Sequence, residues 1–328
     1  MLLMHFARRV VPMTHTHSAQ NFSHHDRPGH GPAPENDSVL PELLDLDAAL
    51  GAPVLAAALD AAYTALNAAP RSIVDLGAGT GTGSIALATR FPDARVHSLD
   101  ASVQMLERLA VTAATTGVAD RVETHLVDLD GDWPDVVPRG VDLAWAALSL
   151  HHVTDPARVL RQVFDVLRPG GVLIVTEFTD VTTYDPADLG TGRDGLGDRV
   201  VSALAAHGYP VTAEWMTALT AAGFAPVQRT AAALTASAQT SDGARYLELN
   251  LTRNREFLRE DLDGDDLAAL DAATAALKAG TSYVRVASGR AFWSAVRPDN
   301  VDPLAAAATD STNAIEDKQR ETETEARR

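Results

Sequence analysis

Cysteine is absent from the 328 residues, which rules out disulfide stapling, thiolate metal centres and any mechanism that uses a cysteine nucleophile. Positive charge is also scarce: 27 Lys and Arg face 44 Asp and Glu, leaving a net charge of −17. Attraction to phosphate backbones and anionic membranes rests on Lys and Arg, so neither nucleic acid nor membrane is an expected partner. No stretch of about 18 apolar residues is present to span a bilayer. The opening run MLLMHFARRVV, Met1 to Val11, is broken by His5, Arg8 and Arg9 and leads to no small-residue cleavage site. It does not read as a signal peptide, and a cytoplasmic location is the expectation.

What is there is ordinary globular composition, 46% apolar and 22% charged, in a length that suits one core domain with additions. Residues 1–37 are rich in His, Pro, Gly and Ser and read as a disordered arm. Six histidines lie there, among them His15, His17, His24 and His25, in a spacing that fixes no ligand geometry. No metal site is expected from the sequence. Residues 301–328 read as a disordered, charged tail.

Between the two, Pro41 to Leu66 has helical spacing, split near Gly51 and Pro53. Strand patterns follow near Ser72–Leu76, Ala94–Asp100, Arg121–Asp128, Val141–Leu148 and Gly171–Phe178. Helical patterns near Thr82–Arg90, Ser102–Thr116 and Pro156–Leu167 separate them. VLRPGG, Val166 to Gly171, reads as a turn between the last helix and strand. Such alternation signals βαβ units in a parallel sheet covered on both faces, with ligands bound at the carboxyl ends of the strands. After Phe178 come a polar loop to about Gly197, helices to His207 and over Thr212–Ala222, and a strand near Ala225–Leu234. Two helical pieces across Ser241–Ala279 break at Asp263 and Gly264, and a last strand lies in Gly289–Pro298. The predicted class is α/β, with N-terminal helices and a helical insertion before the last strand. Residues 38–300 form the predicted domain, 72–178 its ligand-binding core and 179–287 a mixed sheet edge and helical substrate region.

The segment IVDLGAGTGTGS, Ile73 to Ser84, carries the chemistry. Gly77, Gly79 and Gly81, between a strand and a helix, let the backbone approach a ligand where a Cβ would clash. A dinucleotide fingerprint, G-x-G-x-x-G, would need glycine where Thr82 or Ser84 stands. Asp75, just ahead of the loop, suits a ligand's amino group better than a diphosphate. Asp100 closes the second strand and can accept hydrogen bonds from vicinal ribose hydroxyls; capping the following helix is the alternative role. Asp128 closes the third strand within reach of an exocyclic amine, or else forms a turn with Asp130 and Gly131. An amino group, a ribose and an adenine describe S-adenosylmethionine. A nicotinamide cofactor with oxidoreductase activity is the rival built on the same strand, loop and acid.

DLGAGTGTG, HSLDAS, LVDLD, DLAWAALSLHHV and VLRPGG, in this order, resemble the class I, Rossmann-like methyltransferases that use S-adenosylmethionine. The resemblance covers Ser72 to Phe178, with an echo in FWSAVRP as a last, antiparallel strand. It implies a seven-stranded, mostly parallel sheet with the cofactor across the strand ends. Asp75, Gly77, Ala78, Gly79 and Gly81 would hold its methionine end, Asp100 and Ala101 the ribose, and Asp128 and Leu129 the adenine. Ala147, opening the stretch to His152, would face the methyl group.

The same resemblance implies a small-molecule acceptor. In the family an Asn-Pro-Pro-Tyr or Asp-Pro-Pro-Tyr tetrapeptide accompanies methylation of base amines or glutamine amides, and Ala147-Leu148-Ser149-Leu150 stands in its place. The lack of cysteine excludes covalent pyrimidine adducts and thiol-dependent arsenic chemistry. Methyl transfer is an in-line displacement at a sulfonium, so alignment and exclusion of water supply much of the rate. For a hydroxyl or acid acceptor, His151 or His152 is the candidate base. O-methylation is slightly favoured over N- or C-methylation; most of the aromatics between Tyr184 and Tyr283 read as core, with one or two as candidates to line the acceptor pocket. A protein that binds S-adenosylmethionine without turnover is the rival outside enzymology.

Overall fold

The computed structural model describes residues 39–179, 182–209 and 212–299; the predicted arm and tail lie outside the described residues. Two helices, α1 (Leu40–Leu50) and α2 (Ala52–Ala65), precede the sheet. β1 (Ser72–Leu76), α3 (Thr82–Arg90), β2 (Arg95–Asp100), α4 (Val103–Thr115) and β3 (Val122–Leu126) follow. β4 (Val141–Ala147), α5 (Pro156–Val166) and β5 (Leu167–Phe178) complete the alternating half. These strands run parallel in the order β3-β2-β1-β4-β5. The order reverses between β1 and β4, the switch point at which open α/β sheets bind ligands.

The local reasons are plain in the side chains. Strands covered on both faces read as unbroken apolar runs, and β4 is VDLAWAA. α4 buries Met105, Leu106, Leu109 and Ala113, and α5 buries Val159, Leu160, Val163 and Val166, each one helical face. Ser102 and Asp155 cap them by accepting from Met105 N and Arg158 N at 3.3 and 2.9 Å. Successive strand residues feed opposite cores: Val74 joins Leu99, Trp133 and Val163, while Ile73 joins Val96, Leu109 and Phe292.

VLRPGG differs from its reading as a plain turn. Val141 pairs with Leu167 and Leu143 with Val172, so residues 168–171 bulge out opposite Asp142 within one continuous β5. Pro169 lacks a ladder N–H and Gly170 takes φ +71°, which makes the turn without ending the strand.

β6 (Thr183–Asp185), α6 (Leu196–Ala206), α7 (Trp215–Ala221), β7 (Val227–Ser237), α8 (Ser241–Phe257), α9 (Gly264–Lys278) and β8 (Arg285–Val296) complete the fold. β8 lies antiparallel between β5 and β7. Its residues 285–287 pair with both β6 and β7, and a strand has only two edges. β6 therefore extends the rank of β5, and eight strands fill seven ranks. Three residues in a polar segment carry no readable period, which is why β6 reads as loop in the sequence. Among the described residues no helix is long and apolar enough to cross a membrane.

α6, α8 and α9 enclose a third core around Leu196, Val200, Leu247, Leu251 and Leu270. Asp266, 2% exposed, joins them by accepting from Arg193 Nε and Arg199 Nε, both at 2.7 Å. Hydrogen bonds from Arg199 and then Arg193 pull its pKa down to about 2 against the opposing effect of burial. A depressed carboxylate stabilises the fold above its unfolded value of 3.8 and loses that contribution as pH falls through about 2. The guanidiniums keep access to water, so Asp266→Asn is expected to cost about 1–3 kcal/mol at neutral pH. Denaturant titration reads the loss, and an unchanged midpoint would show that solvent already screens the cluster.

Candidate functional site

The carboxyl ends of β1 to β4 open into a cavity of about 800 Å³, closed on its far side by α1 and α2. Asp75, Gly77, Ala78, Gly79, Asp100, Ala101, Asp128, Leu129, Ala147 and His152 line it. Gly81 and His151 are not among the lining residues. Gly81 opens α3 at φ +97°, and a Cβ there would stand 2.5 Å from Leu109 Cγ. Its bareness lets α3 pack on α4, a structural role in place of the cofactor contact expected of it. Gly77, at φ +72°, likewise admits Ser149, whose Cβ lies 2.5 Å from where a Gly77 Cβ would be.

Asp75 is 2% exposed. Its Oδ2 accepts from Ser84 Oγ at 2.6 Å, and that hydroxyl also meets Ser98 Oγ at 2.7 Å. Burial raises the carboxyl to about 7; the Ser84 hydrogen bond opposes this and the charge of Asp100 adds to it. Beside it, a Cβ on Gly83 would stand 3.1 Å from both Asp75 Oδ2 and Trp145 Nε1. The glycine leaves a niche between a carboxyl group and an indole N–H. Trp145 Nε1 is buried without a hydrogen-bond partner among the described residues, a condition that native interiors rarely leave unanswered.

Asp100 has a double duty. Its Oδ2 accepts from Gly79 N and its Oδ1 from Ser102 N, both at 2.8 Å. It thus holds the glycine loop against β2, while capping of α4 falls to the Ser102 hydroxyl. Each carboxylate oxygen keeps a second lone pair for a ligand hydroxyl. Asp128 Oδ1 accepts from Asp130 N at 2.9 Å, so the turn reading holds for a residue that also lines the cavity.

After β4, Leu148 takes φ +54° and donates from its N to Thr176 O at 2.8 Å. A branched residue in the left-handed region is strained, and such strain gathers at functional sites. Leu150–His152 then forms a 3-10 turn. Glu177, fully buried on β5, accepts from Leu150 N at 2.9 Å and lies 2.5 Å from His151 Nδ1. His151 is therefore occupied in holding the turn. His152, its ring 3.8 Å from that of His151, faces the cavity instead.

The acceptor end differs from its expectation. No aromatic residue between Tyr184 and Tyr283 lines the cavity; Leu44, Asp47, Val54 and Leu55 from α1 and α2 do, with Leu234 and Arg290 opposite. Arg290 is 3% exposed; its Nη2 donates to Asp47 Oδ2 at 3.1 Å and its guanidinium stacks 4.0 Å over Phe178. Tyr246 supports the pair from behind, donating to Asp47 Oδ2 at 3.2 Å. Nothing local in the Ala- and Leu-rich N-terminal segment signals this role, since its partners lie about two hundred residues on. Gly83, the fourth glycine of the loop, was legible as a glycine but not as the wall of a niche.

The residues present fit S-adenosylmethionine. Asp75 and the orphaned Trp145 N–H suit an ammonium and a carboxylate side by side, and Asp100 offers acceptors for vicinal hydroxyls.

Sequence comparison with known proteins points the same way. A methyltransferase-domain family matches residues 74–173. The chain is 38% identical to trans-aconitate 2-methyltransferase of Methylobacterium radiotolerans, over 33% of this chain and 38% of that one. It is 36% identical to 27-O-demethylrifamycin SV methyltransferase of Amycolatopsis mediterranei, over 32% and 38%. The chain thus spans less than half the length of these curated relatives. Among solved structures, phosphoethanolamine N-methyltransferase 2 of Haemonchus contortus in complex with S-adenosyl-L-methionine aligns at TM-score 0.43 and 16% identity, over 73% of this chain and 52% of that one. The [4+2]-cyclase SpnF aligns at TM-score 0.45 and 20% identity, over 76% and 82%. Residues 74–173 thus match a methyltransferase domain, and over that stretch the chain is similar to methyltransferases that act on small molecules.

Proposed function

We propose that the protein transfers the methyl group of S-adenosylmethionine to an oxygen of a small-molecule acceptor. The observation that carries this reading is the niche beside Gly83, where a buried carboxyl group and an orphaned indole N–H sit together at the foot of the glycine loop. Those two groups complement the ammonium and carboxylate of an amino acid, a pairing that neither a diphosphate nor a nicotinamide offers.

The bound cofactor would supply an electrophilic methyl on a sulfonium with a neutral thioether as leaving group. The residues of the chain do the remainder. Asp75 and Trp145 hold the amino-acid end, Asp100 and Ala101 the ribose, and Asp128 and Leu129 the adenine. Ala147 and the strained turn after it leave room for the acceptor beside the methyl. α1 and α2 keep water from the reacting pair, which sharpens every charge interaction inside. His152, which faces the cavity, takes the proton from an acceptor hydroxyl; His151 serves by fixing the turn. Arg290 offers a planar cation to an acceptor carboxylate. Oxygen as the target is supported by relatives named for it, the 27-O-demethylrifamycin SV methyltransferase and malonyl-[acyl-carrier protein] O-methyltransferase of Dechloromonas aromatica.

Calorimetric titration with S-adenosylmethionine and S-adenosylhomocysteine is expected to show binding of both, with NADH inert; NADH binding alone would replace the reading with hydride chemistry. Binding of the first two without methyl transfer to any small acid or alcohol would leave a cofactor-binding protein. Asp100→Ala should weaken the cofactor by about 1–3 kcal/mol, and unchanged affinity in a folded variant removes the ribose assignment.

Proton release tests Asp75. Because its folded pKa is raised to about 7 from 3.8, the stability that its proton confers is full below 3.8 and is lost as pH rises through about 7. A ligand ammonium reverses that preference, so binding at about pH 6 should expel a proton. Titrations in buffers of different ionisation enthalpy count it. Asp75→Asn should bind with none released, and equal release from the variant would move the proton to another group.

A further inference from the structure

At the sheet edge β2 and β3 pair with His97 opposite Glu123 and Leu99 opposite His125. Alternation along parallel strands puts His97, Glu123 and His125 on one face. His97 Nδ1 lies 3.3 Å from His125 Nε2, with the ring centroids 5.5 Å apart. The imidazoles therefore meet nitrogen first. Glu123 faces both through its two oxygens, Oε2 lying 3.6 Å from His97 Nδ1 and Oε1 3.7 Å from His125 Nε2. None of the three lines the cavity described above.

We propose that His97, Glu123 and His125 bind a divalent transition-metal ion of the zinc class. Tetrahedral zinc with nitrogen and oxygen ligands at about 2.0–2.2 Å requires those ligand atoms to stand about 3.3–3.5 Å from one another. The separation of the two imidazole nitrogens matches that, and each carboxylate oxygen stands within a few tenths of an ångström of it from one of them. The ordinary alternative, an N–H···N hydrogen bond between the imidazoles, accounts for the two rings only. It leaves the carboxylate beyond hydrogen-bond reach of both nitrogens, whereas a cation at the centre satisfies all three groups at once. Imidazole with one carboxylate suits zinc, nickel or cobalt better than the hard cations magnesium and calcium.

The surroundings suit the role. The His97 and His125 side chains are 9% and 16% exposed and that of Glu123 48%, so an ion enters past the carboxylate and is held by shielded imidazoles. Paired strands fix the ligands in register better than a loop could. A fourth position stays open to water. The ion would clip the outermost strand to β2, the strand that ends in Asp100. The ligands lie on two strands separated by a whole helix, which is why the sequence alone gives no metal-binding spacing.

Cobalt tests this in the full chain, because its visible bands are strong in tetrahedral and weak in octahedral coordination. After removal of metal with a chelator, Co²⁺ is expected to produce one saturable set of strong bands. Zn²⁺ should displace it and raise the thermal midpoint. His97→Ala and His125→Ala should each abolish the bands. Glu123→Gln, at an exposed position where folding is not at stake, should weaken Zn²⁺ binding by at least about tenfold, the loss that even an outer-shell partner causes. The six histidines of residues 1–37 stay in every variant. Strong bands that survive in the His97→Ala, His125→Ala double variant, or Zn²⁺ affinity unchanged in Glu123→Gln, would overturn the site. So would only weak octahedral bands in the folded wild-type chain.

Discussion

Asp75, next to the last residue of β1, has 2% of its surface in water and lies close enough to Asp100 for that charge to raise its pKa further. Burying a carboxylate without a cation is costly, and Ser84 offsets only part of the cost through its hydroxyl and backbone. The surrounding structure is arranged about this deficit. Ser84 belongs to the first turn of α3 and reaches Asp75 because the glycine loop turns α3 back over β1. A Cβ at position 83 would crowd Asp75 Oδ2 and Trp145 Nε1, each at 3.1 Å. Trp145, from the next strand across the switch point, closes the niche with a donor that has nothing to bond to. A protein seeking stability alone would fill this space with apolar atoms. Holding open a place for a cation next to an unmet donor makes sense as preorganisation for a zwitterion.

The acceptor wall is held by different physics. Within α1 only Pro41 and Leu43 are buried, and its attachments are ion pairs at the surface: Arg245 to Glu42 at 2.7 Å and Arg108 to Asp45 at 2.5 Å. Pairs of that kind contribute about 0–1 kcal/mol each. The shielded exception is Arg290 with Asp47. The cofactor end is thus set in strands with both faces packed, and the cover over the acceptor end is a helix with few buried apolar contacts. Elements of that composition open at low free-energy cost, which under the proposed function would give a small acceptor its way in without disturbing the cofactor loop.

The alternating half of the fold was legible because β1, β4 and β5 are mostly apolar, short strand patterns alternate with helical ones, and the helices keep a three-and-four spacing, all local signals. That Asp75, Asp100 and Asp128 line the cavity was legible for a related reason: each stands near the carboxyl end of a strand pattern, and a parallel sheet puts such residues along one edge. Gly81 and His151 show the limit of that argument. Motif position places them beside a ligand, but the side chain of Leu109 and the carboxylate of Glu177, met only through folding, turn one into a packing residue and the other into a brace. Trp145, Asp47, Arg290 and the His97 group were beyond reach, since each acts through a partner on another element. Their meaning lies in register, which no single stretch of sequence contains.

Charge ties the cavity to the reaction. Asp47, Asp75, Asp100, Asp128 and Asp130 line it against Arg290 and His152, and Asp47 answers Arg290 directly. The lining is therefore acidic overall. At physiological salt the chain's net charge acts over only about 8 Å, so these carboxylates, rather than the −17 of the whole, set the potential that a ligand meets. Such a lining favours a sulfonium over a neutral thioether by Coulomb attraction, amplified where water is excluded. In the proposed reaction, methyl transfer would remove that charge from the cofactor. The same carboxylates that draw the cofactor in would thus hold its product less tightly, so an acidic cavity would favour the proposed turnover at both ends of the reaction.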